Sequence, residues 1–149
     1  MKVLLAYDGS LQAKNILREM LQKDRESRNR LIVLHVFNSG LFVGYDAIPG
    51  IEEKARRGSS RSIAEARQII LDAGARIYAR IVEEDGVPEE EIIRYVETEG
   101  IDMLFCPKRF MSLMRRVKKY PRQEAEVPVA SALFRRQEGP IGISLHRYS

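Results

Sequence analysis

The residues best suited to binding a ligand follow directly after the first apolar run of the chain. Val3–Ala6 predicts a strand buried on both faces, and Asp8-Gly9-Ser10 predicts a turn before an amphipathic helix. A carboxylate and a helix N-terminus at the carboxyl end of a strand are typical of ligand sites in open α/β sheets. Capping of that helix is the competing role for Asp8 and Ser10. Ser10 has no histidine beside it in a recognisable motif, which favours a cap over a catalytic nucleophile.

A second group of candidates follows the apolar run Ile101–Cys106, which predicts another buried strand. Lys108 and Arg109 could hold a phosphate, one as a point charge and the other as a planar fork, or they could form a solvated loop. Cys106 ends the strand, and a buried, inert thiol is expected there. A reactive thiol would need exposure and a lowered pKa, which the two neighbouring cations could supply.

Several other chemistries lack the residues they need. One cysteine excludes an internal disulfide and a multi-thiolate metal site, and His35 and His146 are too widely spaced to suggest a histidine cluster. His35 is expected to be packed in the core, and Glu89-Glu90-Glu91 to compensate a helix dipole. No set of acid, base and nucleophile is recognisable, so we expect a binding protein rather than an enzyme. No apolar run approaches the ~20 residues of a membrane span and no signal-peptide pattern is visible, so a cytoplasmic location is expected.

The charge is distributed unevenly. The chain carries 25 basic and 21 acidic side chains, but residues 106–149 hold ten of the basic ones against three acidic ones. That segment has a net charge of +7, and the first 105 residues have −3. A basic segment can meet an anionic partner or form a solvated face. Because no aromatic residues alternate with these cations, as base stacking would require, nucleic-acid binding is not expected.

Short apolar runs alternate with helical patterns along 149 residues, a length that suits one domain. The apolar spacing predicts helices over about 10–21, 51–75, 88–99 and 110–120, and residues 40–50 predict a long loop of the kind that is often functional. Five strands are predicted, at Val3–Ala6, Leu31–Phe37, Arg76–Val82 (an edge strand with one solvated face), Ile101–Cys106 and Val127–Phe134. Right-handed crossovers make this pattern an α/β fold, a three-layer, doubly wound domain with a five-stranded parallel sheet. We assign residues 1–134 to that domain and 135–149 to a C-terminal tail.

Four segments together resemble the universal stress protein family. They are the Val3–Ser10 segment, Leu34-His35-Val36 in the second strand, Gly86-Val87-Pro88 with Glu90–Ile93, and Glu99–Leu104. Each segment alone is a weak signal, but their order and spacing over about 105 residues are fairly specific. The resemblance implies a sheet of order 3-2-1-4-5, like that of the adenine nucleotide alpha hydrolases. It also implies a stress-associated regulatory protein and a homodimer formed through the last strand, Val127–Phe134.

Many members of that family bind ATP between strands one and four, and the resemblance places Asp8 near the nucleoside and Val36 and Phe37 against the adenine. In those members a glycine-rich loop after strand four cradles the phosphates with backbone N–H groups. This chain has Cys106-Pro107-Lys108-Arg109 there and no glycine between Gly100 and Gly139. We therefore expect ATP to bind weakly or not at all. The alternative is a binder of AMP, ATP or a small anion in which Lys108 and Arg109 replace the glycines. A small anion would then lie between Ser10 and Lys108-Arg109, after the turn at Asp8 and Gly9.

Overall fold

The computed structural model describes residues 2–23, 30–44, 48–75, 78–110, 123–125 and 141–147. Its centre is a set of four parallel strands in the order β3-β2-β1-β4: β1 Lys2–Ala6, β2 Arg30–Phe37, β3 Ala79–Asp85 and β4 Met103–Cys106. Leu4 of β1 is paired with Ile32 on one side and with Leu104 on the other. The prediction that the first and fourth apolar runs are neighbouring parallel strands is therefore confirmed.

Helices cover both faces of this sheet. α1 (Leu11–Lys23) and α2 (Ile51–Asp72) pack on the face formed by Leu5 and Val33, and α3 (Pro88–Thr98) packs on the face formed by Leu4 and Ile32. Alternate residues of β1 thus enter opposite cores, which is why its apolar run has no polar interruption. The predicted α/β class with three layers is confirmed. None of the described helices is long and apolar enough to span a bilayer.

The second helix is continuous where its sequence predicts weakness. The segment Arg56-Arg57-Gly58-Ser59-Ser60 holds a glycine and two serines, which favour a helix only weakly, yet α2 runs unbroken from Ile51 to Asp72. Ion pairs between residues four apart, Glu52–Arg56 and Glu53–Arg57, stabilise this first part on its exposed side. The predicted apolar stripe is buried at Ile63, Ala66 and Ile70.

The edge strand β3 ends later than its alternation predicts. The pattern stops at Val82, whereas Glu83, Glu84 and Asp85 continue the parallel ladder with β2. An edge strand turns many of its side chains to water, so acidic residues there do not prevent backbone pairing. The predicted edge position is confirmed, and residues 76–77 of the predicted strand lie outside the described residues.

The other side of β4 differs from the pattern. Ile141–Arg147, which the sequence assigns to the C-terminal tail, forms a strand, β6, antiparallel to β4. A further short strand, β5 (Gln123–Ala125), pairs antiparallel with β6. The predicted fifth strand, Val127–Phe134, lies outside the described residues, as does the predicted fourth helix after Phe110. A short 3-10 turn, Lys108–Phe110, follows β4.

Candidate functional site

A cleft of about 440 Å³ opens where β1 and β2 end, between α2 and the start of α3. We call it the strand-end cleft. Its wall includes Asp8, Val36, Phe37, Ser59, Pro88 and Arg109. A smaller cavity of about 100 Å³ adjoins it and shares Asp8, His35, Val36, Pro88 and Arg109 with it. This is the edge of an open α/β sheet at which ligands generally bind.

The turn after β1 is organised by two side chains that the sequence singled out. Asp8 Oδ1 accepts a hydrogen bond of 3.0 Å from the backbone N–H of Ser10. Ser10 Oγ accepts one of 3.1 Å from the N–H of Ala13, which makes Ser10 the N-cap of α1. Gly9 between them has a φ of +78°, in the region that favours glycine. The capping role expected for Ser10 is therefore present, whereas Asp8 stabilises the turn that precedes the helix.

Arg109 brings the end of β4 to this turn. Its Nη1 lies 3.5 Å from Asp8 Oδ2, and its guanidinium lies 4.7 Å from the ring centroid of Phe110. The Asp8 side chain is only 8% exposed, against 59% for Arg109, so Arg109 partly covers the carboxylate. The Asp8–Arg109 ion pair sets the charge at this end of the cleft.

Lys108 is placed differently from Arg109. Its backbone N–H donates a hydrogen bond of 3.1 Å to the Gln12 side chain, which joins the 3-10 turn to the start of α1. The residue is exposed and does not line the strand-end cleft. The structure therefore brings Asp8, Val36, Phe37 and Arg109 together on the cleft. It leaves Gly9, Ser10 and Lys108 beside the cleft rather than in its wall.

Aromatic rings form the outer wall. Phe37 and Phe42 stack with ring centroids 5.8 Å apart and planes 6° from parallel, and the Arg56 guanidinium lies 4.5 Å from the Phe37 ring. Phe42 belongs to the 3-10 turn Ser39–Phe42, which starts the long loop that the sequence marked as a functional candidate. Asp85 holds this turn, since its Oδ1 accepts hydrogen bonds from the N–H and the hydroxyl of Ser39. Those hydrogen bonds lower the pKa of the Asp85 carboxyl.

The second helix brings Ser59, a residue that no sequence pattern indicated, into the cleft wall beside His35. His35 is buried, at 7% exposure, as predicted for a core histidine. Its Nδ1 lies 2.9 Å from the carbonyl oxygen of Tyr7, and its Nε2 lies 2.6 Å from Ser59 Oγ of α2. Both His35 and Ser59 line the strand-end cleft. Ser59 lies 24 residues from His35, within a helix, so only the packing of α2 on β2 brings the two together.

Cys106 takes no part in the cleft wall. It is buried, and burial together with the nearby charge of Asp8 raises the pKa of its thiol to about 12. The thiol is therefore protonated near neutral pH, which agrees with the inert interpretation.

Comparison with known proteins gives a family for this architecture. The model of the universal stress protein family matches residues 1–130. No protein of curated function matches the sequence significantly.

Three solved structures illustrate the likeness of the fold. A hypothetical protein, PH0823, is 27% identical, with 79% of this chain and 91% of that one covered and a TM-score of 0.54. The universal stress protein from Archaeoglobus fulgidus in complex with dAMP is 18% identical, with 78% and 86% covered and a TM-score of 0.56. A universal stress family protein from Burkholderia pseudomallei is 20% identical, with 77% and 86% covered and a TM-score of 0.53. The family model covers most of the chain, and the sheet topology is consistent with it. The chain therefore belongs to the universal stress protein family.

Proposed function

We propose that this chain is a stress-associated regulatory binding protein of the cytoplasm and that it works as a homodimer. It does not bind ATP in the way of family members that have a glycine-rich phosphate loop. The observation that carries the proposal is the residue set after β4. Pro107 has no N–H to donate, and the side chains of Lys108 and Arg109 occupy positions where a phosphate cradle needs glycine.

The charges around the cleft support this proposal. Asp8 and Glu89 both line it, and the Arg109 cation is already paired with Asp8. A triphosphate would bring several negative charges next to two carboxylates, without the backbone N–H groups that offset such charge in a glycine loop. Charge repulsion and the missing donors therefore both oppose ATP.

Ligand-dependent thermal unfolding and calorimetry test the proposal, because a ligand that binds only the folded state raises the unfolding midpoint. ATP with magnesium is expected to leave the midpoint unchanged at concentrations near those in cells. Tight, magnesium-dependent binding of ATP would contradict the proposal.

A second function is favoured by the position of Arg109. An anion smaller than a triphosphate, such as phosphate or the monophosphate of AMP, could bind near the N-terminus of α1 with Arg109 and Lys108 as its cations. The Archaeoglobus relative was solved with dAMP, a nucleoside monophosphate, which supports this ligand class. An anion would have to compete with Asp8 for the Arg109 guanidinium.

Calorimetry with AMP and phosphate tests this second function in Lys108→Ala/Arg109→Ala. Loss of two charged contacts, each worth about 1.5–3 kcal/mol, should abolish measurable binding. Arg57→Ala is the matched control, because Arg57 is an exposed cation of α2 that pairs with Glu53 and does not line the cleft. Unchanged affinity in the double variant would place any anion site elsewhere.

The homodimer is proposed to form through Val127–Phe134. The resemblance points to this strand, and an apolar strand at a sheet edge is a template for pairing with a second chain. Pro128 lacks an N–H, so pairing should centre on Val129–Leu133. Light scattering should give twice the mass of one chain at micromolar concentration, and Ala132→Pro should reduce it to one. A monomer in the unaltered protein would refute the dimer.

A further inference from the structure

We propose that Ser59 is an acyl-accepting nucleophile, activated by His35, which makes the strand-end cleft reactive toward small carboxylic esters. The observation is the arrangement of three groups from separate elements. Ser59 Oγ of α2 lies 2.6 Å from His35 Nε2 of β2, and His35 Nδ1 lies 2.9 Å from the carbonyl oxygen of Tyr7 after β1. A hydroxyl, an imidazole and an acceptor that orients the imidazole are the parts of an activated serine.

The direction of these hydrogen bonds follows from the chemistry of the partners. A carbonyl oxygen can only accept, so the proton of the neutral imidazole is on Nδ1, which donates to Tyr7. Nε2 is then unprotonated and accepts the hydrogen bond from the Ser59 hydroxyl. This is the tautomer in which His35 can remove the Ser59 proton. The Tyr7 carbonyl fills the place that a carboxylate has in other activated serines.

The imidazole is held in place. His35 is buried, and its ring packs edge-on against the Tyr7 ring with centroids 6.1 Å apart. The Tyr7 hydroxyl donates a 3.0 Å hydrogen bond to the carbonyl of Ser62 on α2. The base and the helix that carries the nucleophile are thus fixed to the same residue. Such a fixed geometry is what an effective general base requires.

Ser59 is open to a ligand. It is partly exposed and lines the cleft together with His35 and the apolar side chains Leu41 and Phe42, against which an acyl chain or an alcohol could pack.

The reaction can be written with its bonds and protons. Ser59 Oγ attacks the ester carbonyl carbon while its proton passes to His35 Nε2, and a tetrahedral oxyanion forms. The C–O bond to the alcohol breaks, and the alcohol leaves with the proton from Nε2. Water then attacks the acyl-serine with His35 again as the base, which releases the carboxylic acid and restores the Ser59 hydroxyl.

The test uses p-nitrophenyl acetate with the full chain, and mass spectrometry to locate the acetyl group. Acetyl is expected on Ser59, with release of p-nitrophenolate. Ser59→Ala should lower the rate by about a hundredfold or more, the usual contribution of an activated nucleophile and its base. Ser59→Cys should still accept the acetyl group. Ser60→Ala, which changes the exposed neighbour on the same helix, is the matched control and should react like the unaltered protein.

Two further measurements separate chemistry from folding. Ser59→Ala places a better helix former in α2, so a native circular dichroism spectrum is expected. His35→Gln should lose acetylation of Ser59 while keeping that spectrum; if it unfolds, the two Ser59 variants still decide the question. Acetyl found only on lysines or on Ser60, or an unchanged rate in Ser59→Ala, would overturn the proposal.

Discussion

At Gly9 the backbone conformation and a neighbouring helix both exclude a side chain. Its φ is +78°, and a Cβ atom there would lie 2.2 Å from Ser62 Oγ and 2.7 Å from Ser62 Cβ. Gly9→Ala should lower the free energy of unfolding by about 2–4 kcal/mol, from left-handed strain and overpacking together. Gly74→Ala is the control, because Gly74 has a φ of +68° but open space around it. Urea unfolding should show a loss of only about 1–2 kcal/mol for the control, and equal losses would contradict the packing argument.

The Cys106 thiol should be unreactive in the folded protein. Burial raises its pKa to about 12, so near pH 8 almost none of the nucleophilic thiolate is present. Iodoacetamide is expected to modify the chain in guanidinium chloride and to leave the native chain unmodified over the same time. Rapid, stoichiometric modification under native conditions would show that the thiol is accessible.

The sequence predicted candidate residues at the ends of strands that line the cleft, and it missed Ser59, which tertiary packing brings there. Asp8 and Arg109 could be placed because parallel strands end at one edge of a sheet, so residues after each strand meet there, whereas Val36 and Phe37 were placed by the resemblance to the family. Ser59 could not be placed, because helical periodicity fixes its face but not which strand that face packs on.

The position of α2 depends on its contacts with the end of β1. The Tyr7 hydroxyl donates to the carbonyl of Ser62, and Ser62 also lies against Gly9. Tyr7→Phe removes that hydrogen bond and should lower the free energy of unfolding by about 0.5–1.5 kcal/mol. Hydrogen exchange of the α2 amides around Ser62 should become faster. Tyr78→Phe is the control, because the Tyr78 hydroxyl has no hydrogen bond within the described part of the chain, and an equal effect there would contradict the role of the tether.

Element positions followed from the sequence where burial determined them. β1 and the middle of α2 are buried among apolar residues. Their apolar patterns therefore predicted the positions of both elements correctly. The end of β3 depends on backbone pairing of acidic residues with β2. A hydrophobic pattern cannot predict such pairing, because the paired residues are not apolar. β6 pairs antiparallel with β4. The sequence of the C-terminal segment has no clear periodicity, so the pairing of β6 could not be predicted without the fold of the rest of the chain.

At the scale of the whole molecule, three buried acids in the described part of the chain have pKa values shifted in the same direction. Burial is the largest cause in each case, and it raises the pKa of Tyr7, Tyr95 and Cys106 to about 12. The charge of Glu65 adds to the shift at Tyr7, and the hydrogen bond to Glu84 adds to it at Tyr95. In the unfolded chain the thiol and the phenols lose their protons at lower pH, near their ordinary values of 9.0 and 10.0.

The protein should therefore lose stability in alkali. Between about pH 9 and 12 the folded state binds more protons than the unfolded state, so the free energy of unfolding falls as the pH rises and is unaffected by these groups below that window. Cys106→Ala should make the decline shallower, by up to about 1.4 kcal/mol per pH unit, the full effect of one group. Urea unfolding at a series of pH values measures the slope, with Ser60→Ala as a variant that should keep it. A free energy of unfolding that stays constant from about pH 8 to 11 would show that none of the three groups is protected from ionisation in the folded state.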